Sequence, residues 1–313
     1  MNHSTGLALR NQPVLVTGAS GFLGASLCRK LLAAGSEVHA MSRHARDEQQ
    51  GGIRHWRSRL QSEEALGRLL EDVGPAAIFH LAGQTGAMPD MDHVLPILDS
   101  QLTATIRLLV AATTRARESR VVIPASLEEP PEAEGHRPVP ASPYGAAKYA
   151  VRLYARMFHR LYGTRVVLCR LPMVYGPGQS EGKVIPNTIS VMLRGQTPHL
   201  TSASRQFDWL FVDDAIEGLI RAGVAPDLDG EELELGSGML VSLRDVVEMI
   251  AERTSSGVRP SFGSLPDRPA PGAHVFNTER ARQLIDWEAT TSLAAGLDTT
   301  IAYYRSKGTD PDR

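Results

Sequence analysis

A turn punctuated by glycine, set between a short apolar run and a helical pattern, constrains this chain more than any other feature. Residues 13–17, Pro-Val-Leu-Val-Thr, read as a buried β-strand. Gly18, Gly21 and Gly24 follow at three-residue intervals, and Phe22, Leu23, Leu27, Leu31 and Leu32 then carry a helical repeat. Turning sharply out of a strand, bringing backbone close to a pyrophosphate and packing a helix on a sheet all disfavour a Cβ. The helix that begins there presents unpaired N–H groups and a positive dipole end, which suit phosphate. This strand–turn–helix unit therefore predicts a dinucleotide site.

Strand and helix patterns go on alternating. Residues 37–41, 76–81, 120–123 and 165–171 read as strands, and 63–70, 94–112 and 144–161 as helices. The order predicts an α/β fold class: a Rossmann-like doubly wound parallel sheet with helices on both faces. Beyond Gly178 the pattern loosens, with apolar helices near 185–194 and 243–252 separated by loops rich in Pro and Gly. Residues 1–177 are expected to form the dinucleotide-binding domain, with 209–238 returning to it. Residues 178–208 and 239–313 are expected to make a smaller C-terminal substrate-binding lobe. No internal repeat is visible.

Several function classes are disfavoured by composition. A net charge of −2 supplies no positive field for nucleic acid. No apolar run approaches the ~20 residues of a membrane helix, and residues 1–11 lack the apolar stretch of a signal peptide. Cys28 and Cys169 each lie in an apolar pattern, as buried thiols of a reducing compartment do. A cytoplasmic enzyme without membrane or nucleic-acid partners is expected. His39, His55, His80 and His159 do not cluster with Cys or Asp at ligand spacing, so no metal is expected. No Gly-x-Ser-x-Gly elbow supports a hydrolase.

Two further segments carry chemistry. An NAD site usually has an acid ~20 residues beyond its glycines, where this chain has Ser42-Arg43-His44-Ala45-Arg46. A guanidinium there suits a 2′-phosphate, so NADP is favoured over NAD. Ser142-Pro143-Tyr144-Gly145-Ala146-Ala147-Lys148 reads as a cap, a first-turn proline and a helix. Its Tyr144 and Lys148, four apart, share one helical face. An adjacent ammonium lowers a phenol's pKa, and the pair can then exchange a proton with a carbinol while a nicotinamide exchanges hydride.

With these motifs the chain resembles the extended short-chain dehydrogenase/reductases that act on nucleotide sugars. The resemblance spans nearly the whole chain. It includes Thr17-Gly18-x-x-Gly21-x-x-Gly24, Phe79-His80-Leu81-Ala82-Gly83-Gln84, Ser126, Tyr144-x-x-x-Lys148, the stretch Arg170 to Gln179, Asp208-Trp209-Leu210-Phe211-Val212-Asp213-Asp214, Leu235-Gly236-Ser237-Gly238 and Arg268-Pro269. It implies that Ser126 hydrogen-bonds the reacting oxygen, that Tyr144 is the acid/base, and that Lys148 also holds the nicotinamide ribose, with Glu128 beside them. It implies a dinucleotide lined by Gly18, Ser20, Gly21, Phe22, Leu23, Gly24, Ser42, Arg43, Leu60, Leu81, Ala82, Gly83, Tyr144, Lys148, Leu171 and Val174. The sugar nucleotide would meet Gln84, Met173, Val184, Phe207 and Arg268, and helices 94–112 and 144–161 would pair across a homodimer.

The chain departs from the family's pattern at Pro130-Pro131, Met173, Phe207, Arg59 and Gln101. Three reactions stay open. Ser126-Leu127-Glu128-Glu129 resembles the Ser-Ser-Glu-Glu of GDP-4-keto-6-deoxymannose reductases, which use NADPH, and that reading leads. In a 4,6-dehydratase Glu128 would assist elimination, but Leu127 stands where an Asp or Ser is usual. An epimerase would retain NAD. A non-catalytic NADP sensor or scaffold is the reading from another class.

Overall fold

The structure, a computed structural model, describes residues 8–43, 48–57, 60–86, 90–130, 139–267 and 273–308. The chain begins with β1 (Pro13–Thr17), α1 (Phe22–Ala33), β2 (Glu37–Ser42), β3 (Glu48–Gln50), β4 (Ile53–Arg57), α2 (Glu63–Val73) and β5 (Ala77–His80). Next come α3 (Val94–Ile97), a π turn at Leu98–Thr103, α4 (Ala104–Arg115), β6 (Arg120–Ser126), α5 (Pro143–Tyr162) and β7 (Val166–Leu171). The remainder holds β8 (Met173–Tyr175), α6 (Val184–Leu193), β9 (Gln206–Phe211), α7 (Val212–Val224), β10 (Glu232–Glu234), β11 (Leu240–Ser242), α8 (Leu243–Thr254), α9 (Glu279–Ile285) and α10 (Leu293–Gly308).

Two compact units result. The first comprises Met1–Leu171, Ile216–Glu234 and Glu279–Trp287, and the second Pro172–Ala215, Leu235–Thr278 and Glu288–Arg313. The sequence places the division after residue 177, whereas the units divide after Leu171. The strand β9 stays with the second unit, and α9 returns to the first. These short segments carry too little periodicity to assign by pattern.

The first unit is built on a sheet ordered β10-β7-β6-β5-β1-β2-β4-β3, parallel except where β3 meets β4. Val14, Leu15, Val16, Ile78, Phe79, Val121, Val122 and Val167 are fully buried, as expected of strands covered on both faces. From β1 the chain builds outward to β2 and later returns to β5 on β1's other side. Ligands of such sheets bind at that reversal, beyond the carboxyl ends of the strands. The register Thr17↔His80 puts the glycine turn directly beside the loop that follows β5.

Three local features depart from the sequence pattern. Gly51 and Gly52 both take positive φ, 56° and 83°, the two-residue turn that joins twisted hairpin strands, and β3–β4 forms around it. The helix expected at 94–112 is broken by its π turn. There Gln101, 3% exposed, turns inward and its Nε2 donates to the Gln84 carbonyl at 2.7 Å. Finally, Met91–Arg115 is a 25-residue helical run whose mean hydropathy reaches 1.4, long and apolar enough to cross a bilayer. That corrects the expectation that no run approaches this length. Leu108, Leu109, Ala111 and Ala112 from it lie in the unit's core.

In the second unit β9 pairs with β8 in parallel and with β11 in antiparallel fashion. Helices α6, α8 and α10 pack against one another, and α10 also meets β9.

Candidate active site

The first unit carries a groove at the sheet's reversal point. Of the residues expected at a dinucleotide, Gly18, Ser20, Gly21, Ser42, Arg43, Leu60, Leu81, Ala82 and Gly83 line it, together with Gln84. Phe22, Leu23 and Gly24 form the first turn of α1 behind it. Met41, Gln61, Asp99, Ser100 and Ala104 line it as well. Nothing in the apolar repeat marks Asp99 and Ser100, because the π turn swings them to that side.

A dinucleotide fits this groove because its floor has no room for side chains. A Cβ on Gly18 would lie 2.7 Å from the Leu81 carbonyl and the Ala82 nitrogen, and φ is +70° there. One on Gly24 would strike the Gly18 carbonyl at 2.2 Å. The N-cap of α1, Gly21, offers no side-chain oxygen to the first N–H groups. Those donors are left for an anion.

Beneath the groove runs a chain of neutral hydrogen bonds. His80 Nδ1 lies 2.8 Å from Thr17 Oγ1 and its Nε2 lies 2.9 Å from Thr105 Oγ1. Because the Thr105 hydroxyl donates to the Gln101 carbonyl, its oxygen accepts from Nε2–H, and Nδ1 accepts from Thr17. Burial, and then the Lys148 charge, push the His80 pKa down to about 3, so the ring is neutral. Thr17 Oγ1 in turn accepts the Ala82 N–H at 3.2 Å.

Along the same carboxyl edge, Ser126, Tyr144 and Lys148 come together. Ser126 ends β6. Ser142 caps α5, its Oγ accepting the Gly145 N–H at 3.0 Å, with Pro143 in the first turn. That start places Tyr144 one residue inside the helix, where its hydroxyl hydrogen-bonds the Ser126 side chain. One turn on, the Lys148 ammonium donates to the Pro124 carbonyl at 2.8 Å and lies 5.9 Å from the Tyr144 ring centre. Burial pushes the Lys148 pKa down to about 8, with the Glu129 charge opposing it.

The expected lowering of the phenol does not hold. Burial, followed by the Glu129 and Glu128 charges, raises the Tyr144 pKa to about 12 against the Ser126 hydrogen bond. Two nearby carboxylates and desolvation both disfavour a phenolate.

Pattern reading missed Glu129. It is fully buried, and its Oε1 accepts the Ser126 N–H at 2.7 Å, while Oε2 lies 3.5 Å from Arg152. Arg170, also buried, donates from Nε to the Ser126 carbonyl at 3.2 Å and pairs with Glu234 at 3.1 Å. Glu128, the acid expected beside Ser126, is only half-buried; its backbone N–H donates to Ser126 Oγ at 3.1 Å. The available signal was two consecutive acids directly after a buried strand.

The remaining expected residues, among those described, lie at the end of β7 and on elements of the second unit. Leu171 closes β7, and its carbonyl accepts the Leu127 N–H at 3.1 Å. In the second unit Met173 and Val174 lie on β8 and Val184 opens α6. Phe207 on β9 meets Trp209 edge-on at 5.6 Å, with the Arg205 guanidinium 4.9 Å over its ring. Arg268 and Arg59 lie outside the described residues. Among the described residues no three His, Cys, Asp or Glu are grouped to hold a metal.

The sequence pattern of the NAD dependent epimerase/dehydratase family matches residues 14–236. The chain belongs to that family. It is 29% identical to the UDP-glucose 4-epimerase of Mycolicibacterium smegmatis, over 94% of this chain and 98% of that one. It is 28% identical to the dTDP-glucose 4,6-dehydratase of Streptomyces niveus, over 93% and 92%. Identity is also 28% to the dTDP-4-dehydro-6-deoxy-D-allose reductase of Streptomyces bikiniensis, over 93% and 96%. Among solved structures, MoeE5 in complex with UDP-glucose and NAD superposes with a TM-score of 0.83 at 30% identity, covering 95% of this chain and 99% of that one.

Proposed function

We propose that this family member reduces the keto group of a nucleotide-activated 4-keto-6-deoxy sugar, with NADPH as the hydride donor. The observation that carries the reading is the hydrogen-bonded Ser126–Tyr144 pair, with Lys148 one helical turn further on, at the edge where the glycine groove opens. When bound, the dinucleotide supplies hydride at its nicotinamide ring. Ser126 Oγ orients the carbonyl oxygen. The Tyr144 hydroxyl, with its pKa near 12, still holds its proton at neutral pH and gives it to the oxygen as the C–O bond becomes a carbinol. Lys148, protonated below about pH 8, stands one turn away to restore that proton. Arg43, exposed at the end of β2 beside Ser42, suits a 2′-phosphate. Leu127 cannot move a proton, which weighs against the elimination step of a dehydratase.

A second reading, a 4-epimerase that retains NAD, draws on the similarity to the Mycolicibacterium epimerase and to MoeE5 with its bound UDP-glucose and NAD. One experiment separates the two. The nucleotide carried by freshly purified protein is identified, and NADPH oxidation is followed with dTDP-4-keto-6-deoxyglucose. Reversible NADPH binding with turnover supports the reductase. Retained NAD, with conversion of UDP-glucose to its C4 epimer and no added cofactor, replaces that reading with the epimerase.

Pairing of two copies is part of this proposal. It is supported by Met91, Leu95 and Leu98 around α3, and by Leu153, Leu161 and Tyr162 on α5, all exposed on helical segments that pack together. A dimer's mass in solution, lost on Leu161→Glu, is the expected result.

A further inference from the structure

The charges behind Ser126 form a set that the acid–base chemistry alone does not require. Helix α5 carries Lys148, Arg152 and Arg156 at four-residue intervals, three cations on one face. Like charges at that spacing repel, and Arg152 is 5% exposed. Anions from neighbouring elements answer them. Glu129 comes from the loop after β6, and Glu232 on β10 lies 3.6 Å from Arg152 and 2.9 Å from Arg156. Arg170 on β7 has Glu234 of β10.

Glu129 differs from the other anions because it reaches the catalytic loop itself. Its Oε1 takes the Ser126 N–H while Arg170 holds the Ser126 carbonyl, so the peptide groups on either side of the Ser126 Cα are both held. The same carboxylate acts electrostatically on Lys148 and Tyr144. We propose that Glu129 is a positioning residue: its carboxylate fixes the Ser126 N–H and provides a counter-charge for the half-buried Lys148 ammonium. This rests on the roles proposed above for Ser126 and Lys148. Burial raises the Glu129 pKa, and the Ser126 N–H with the Arg152, Lys148 and Arg170 charges opposes that rise and favours the carboxylate. Removing Glu129 makes the surroundings of Lys148 more positive by one charge, and removing Arg152 makes them less positive by one. The neutral His80 and the half-buried Glu128 also face Lys148 and Tyr144 respectively, and neither substitution changes them.

The test reads Lys148 directly. The sequence has four lysines, Lys30, Lys148, Lys183 and Lys307. Protein labelled with ¹³C at lysine Cε therefore gives a short list of signals, and loss of one in Lys148→Met assigns it. In cofactor-free protein Lys148 is expected to titrate near pH 8. Glu129→Gln keeps an oxygen for the Ser126 N–H and should move that midpoint down by about one pH unit, whereas Arg152→Gln should move it up. A merely structural role would lower the unfolding temperature in both variants without shifts of opposite sign. Equal midpoints in wild type and in whichever variants fold, or shifts in one direction, overturn the proposal. Activity checks the reading beneath it separately. If Tyr144→Phe remains active while the opposed shifts are seen, the charge coupling stands and the acid–base assignment falls.

Discussion

The turn after β1 and the loop after β6 lie at the same edge of one parallel sheet, yet they are made in opposite ways. The first is a place where side chains are excluded. Gly18, Gly21 and Gly24 leave backbone for a ligand to approach, and the polar groups beneath it, Thr17, His80 and Thr105, are neutral. The second is made of side chains, with Glu129, Arg152 and Arg170 buried and Lys148 half-buried around Ser126. An uncharged cradle binds by shape and backbone donors, whereas a charged centre sets proton affinities. Damage to one should therefore appear in cofactor affinity, and damage to the other in turnover.

Tyr144→Phe tests that division most severely. Removing the proposed proton donor should cut kcat by roughly 10³-fold, while the dissociation constant for NADPH, read by fluorescence, stays within about twofold because no cradle atom changes. Loss of cofactor binding along with activity would show that the two regions are not separable.

The converse substitution is Gly18→Ala. The new Cβ meets the backbone of Leu81 and Ala82 at 2.7 Å, and φ is +70°. Overpacking and a left-handed conformation together should cost about 3 kcal/mol. The thermal unfolding midpoint should fall and NADPH should bind at least tenfold more weakly. An alanine variant with unchanged melting and affinity would mean that the turn is not the cradle described.

These regions were also unequally legible in the sequence. The cradle could be read because its demands are met by residue type at fixed spacing, three glycines after an apolar strand. The pair Tyr144 and Lys148 could be read because four residues make one helical turn. Glu129 could not. Whether an acid after a strand points to solvent or to the interior depends on Arg152, beside its carboxylate, and on Arg170, which donates to its backbone carbonyl; these come from a later helix and strand and have no spacing relation to it. The π turn at Leu98–Thr103 was hidden for a similar reason. Its extra residue per turn is imposed by Gln101 reaching the loop after β5, while the apolar repeat on either side continues. Tertiary charge and insertion overrode local pattern at the site, and rarely in the surrounding sheet.

His80 sharpens the contrast through pH. Its folded pKa, near 3, lies below the 6.5 of a free histidine, so between those values the unfolded chain binds more protons than the folded one. Stability must then rise with pH through that window, be fully present above about 6.5 and be lost on acidification. The slope approaches ~1.4 kcal/mol per pH unit. Between pH 6.5 and 5 the loss attributable to this ring should be about 2 kcal/mol. Urea unfolding of wild type and His80→Gln at both pH values isolates it, because the carboxylates are common to the two. If both proteins lose the same stability, the ring is not held neutral and the cradle is not the uncharged region described above.

The smallest effect expected is at the cradle's open end, where the exposed guanidinium of Arg43 lines it. Arg43 is exposed at the tip of β2, so any pairing with a 2′-phosphate is screened by solvent and is worth roughly 1.4 kcal/mol, or about tenfold in affinity. Arg43→Asp should therefore reduce the NADP-over-NAD affinity ratio by about that factor or more, since the new carboxylate repels the phosphate. The difference should narrow as salt is raised and the Debye length shrinks. Turnover with saturating cofactor should change little, because Arg43 belongs to the binding region. Dissociation constants for both dinucleotides at low and high salt decide the matter. An unchanged ratio would mean that the groove reads the adenosine end through shape alone, and the case for NADPH as donor would pass to the NAD-retaining epimerase.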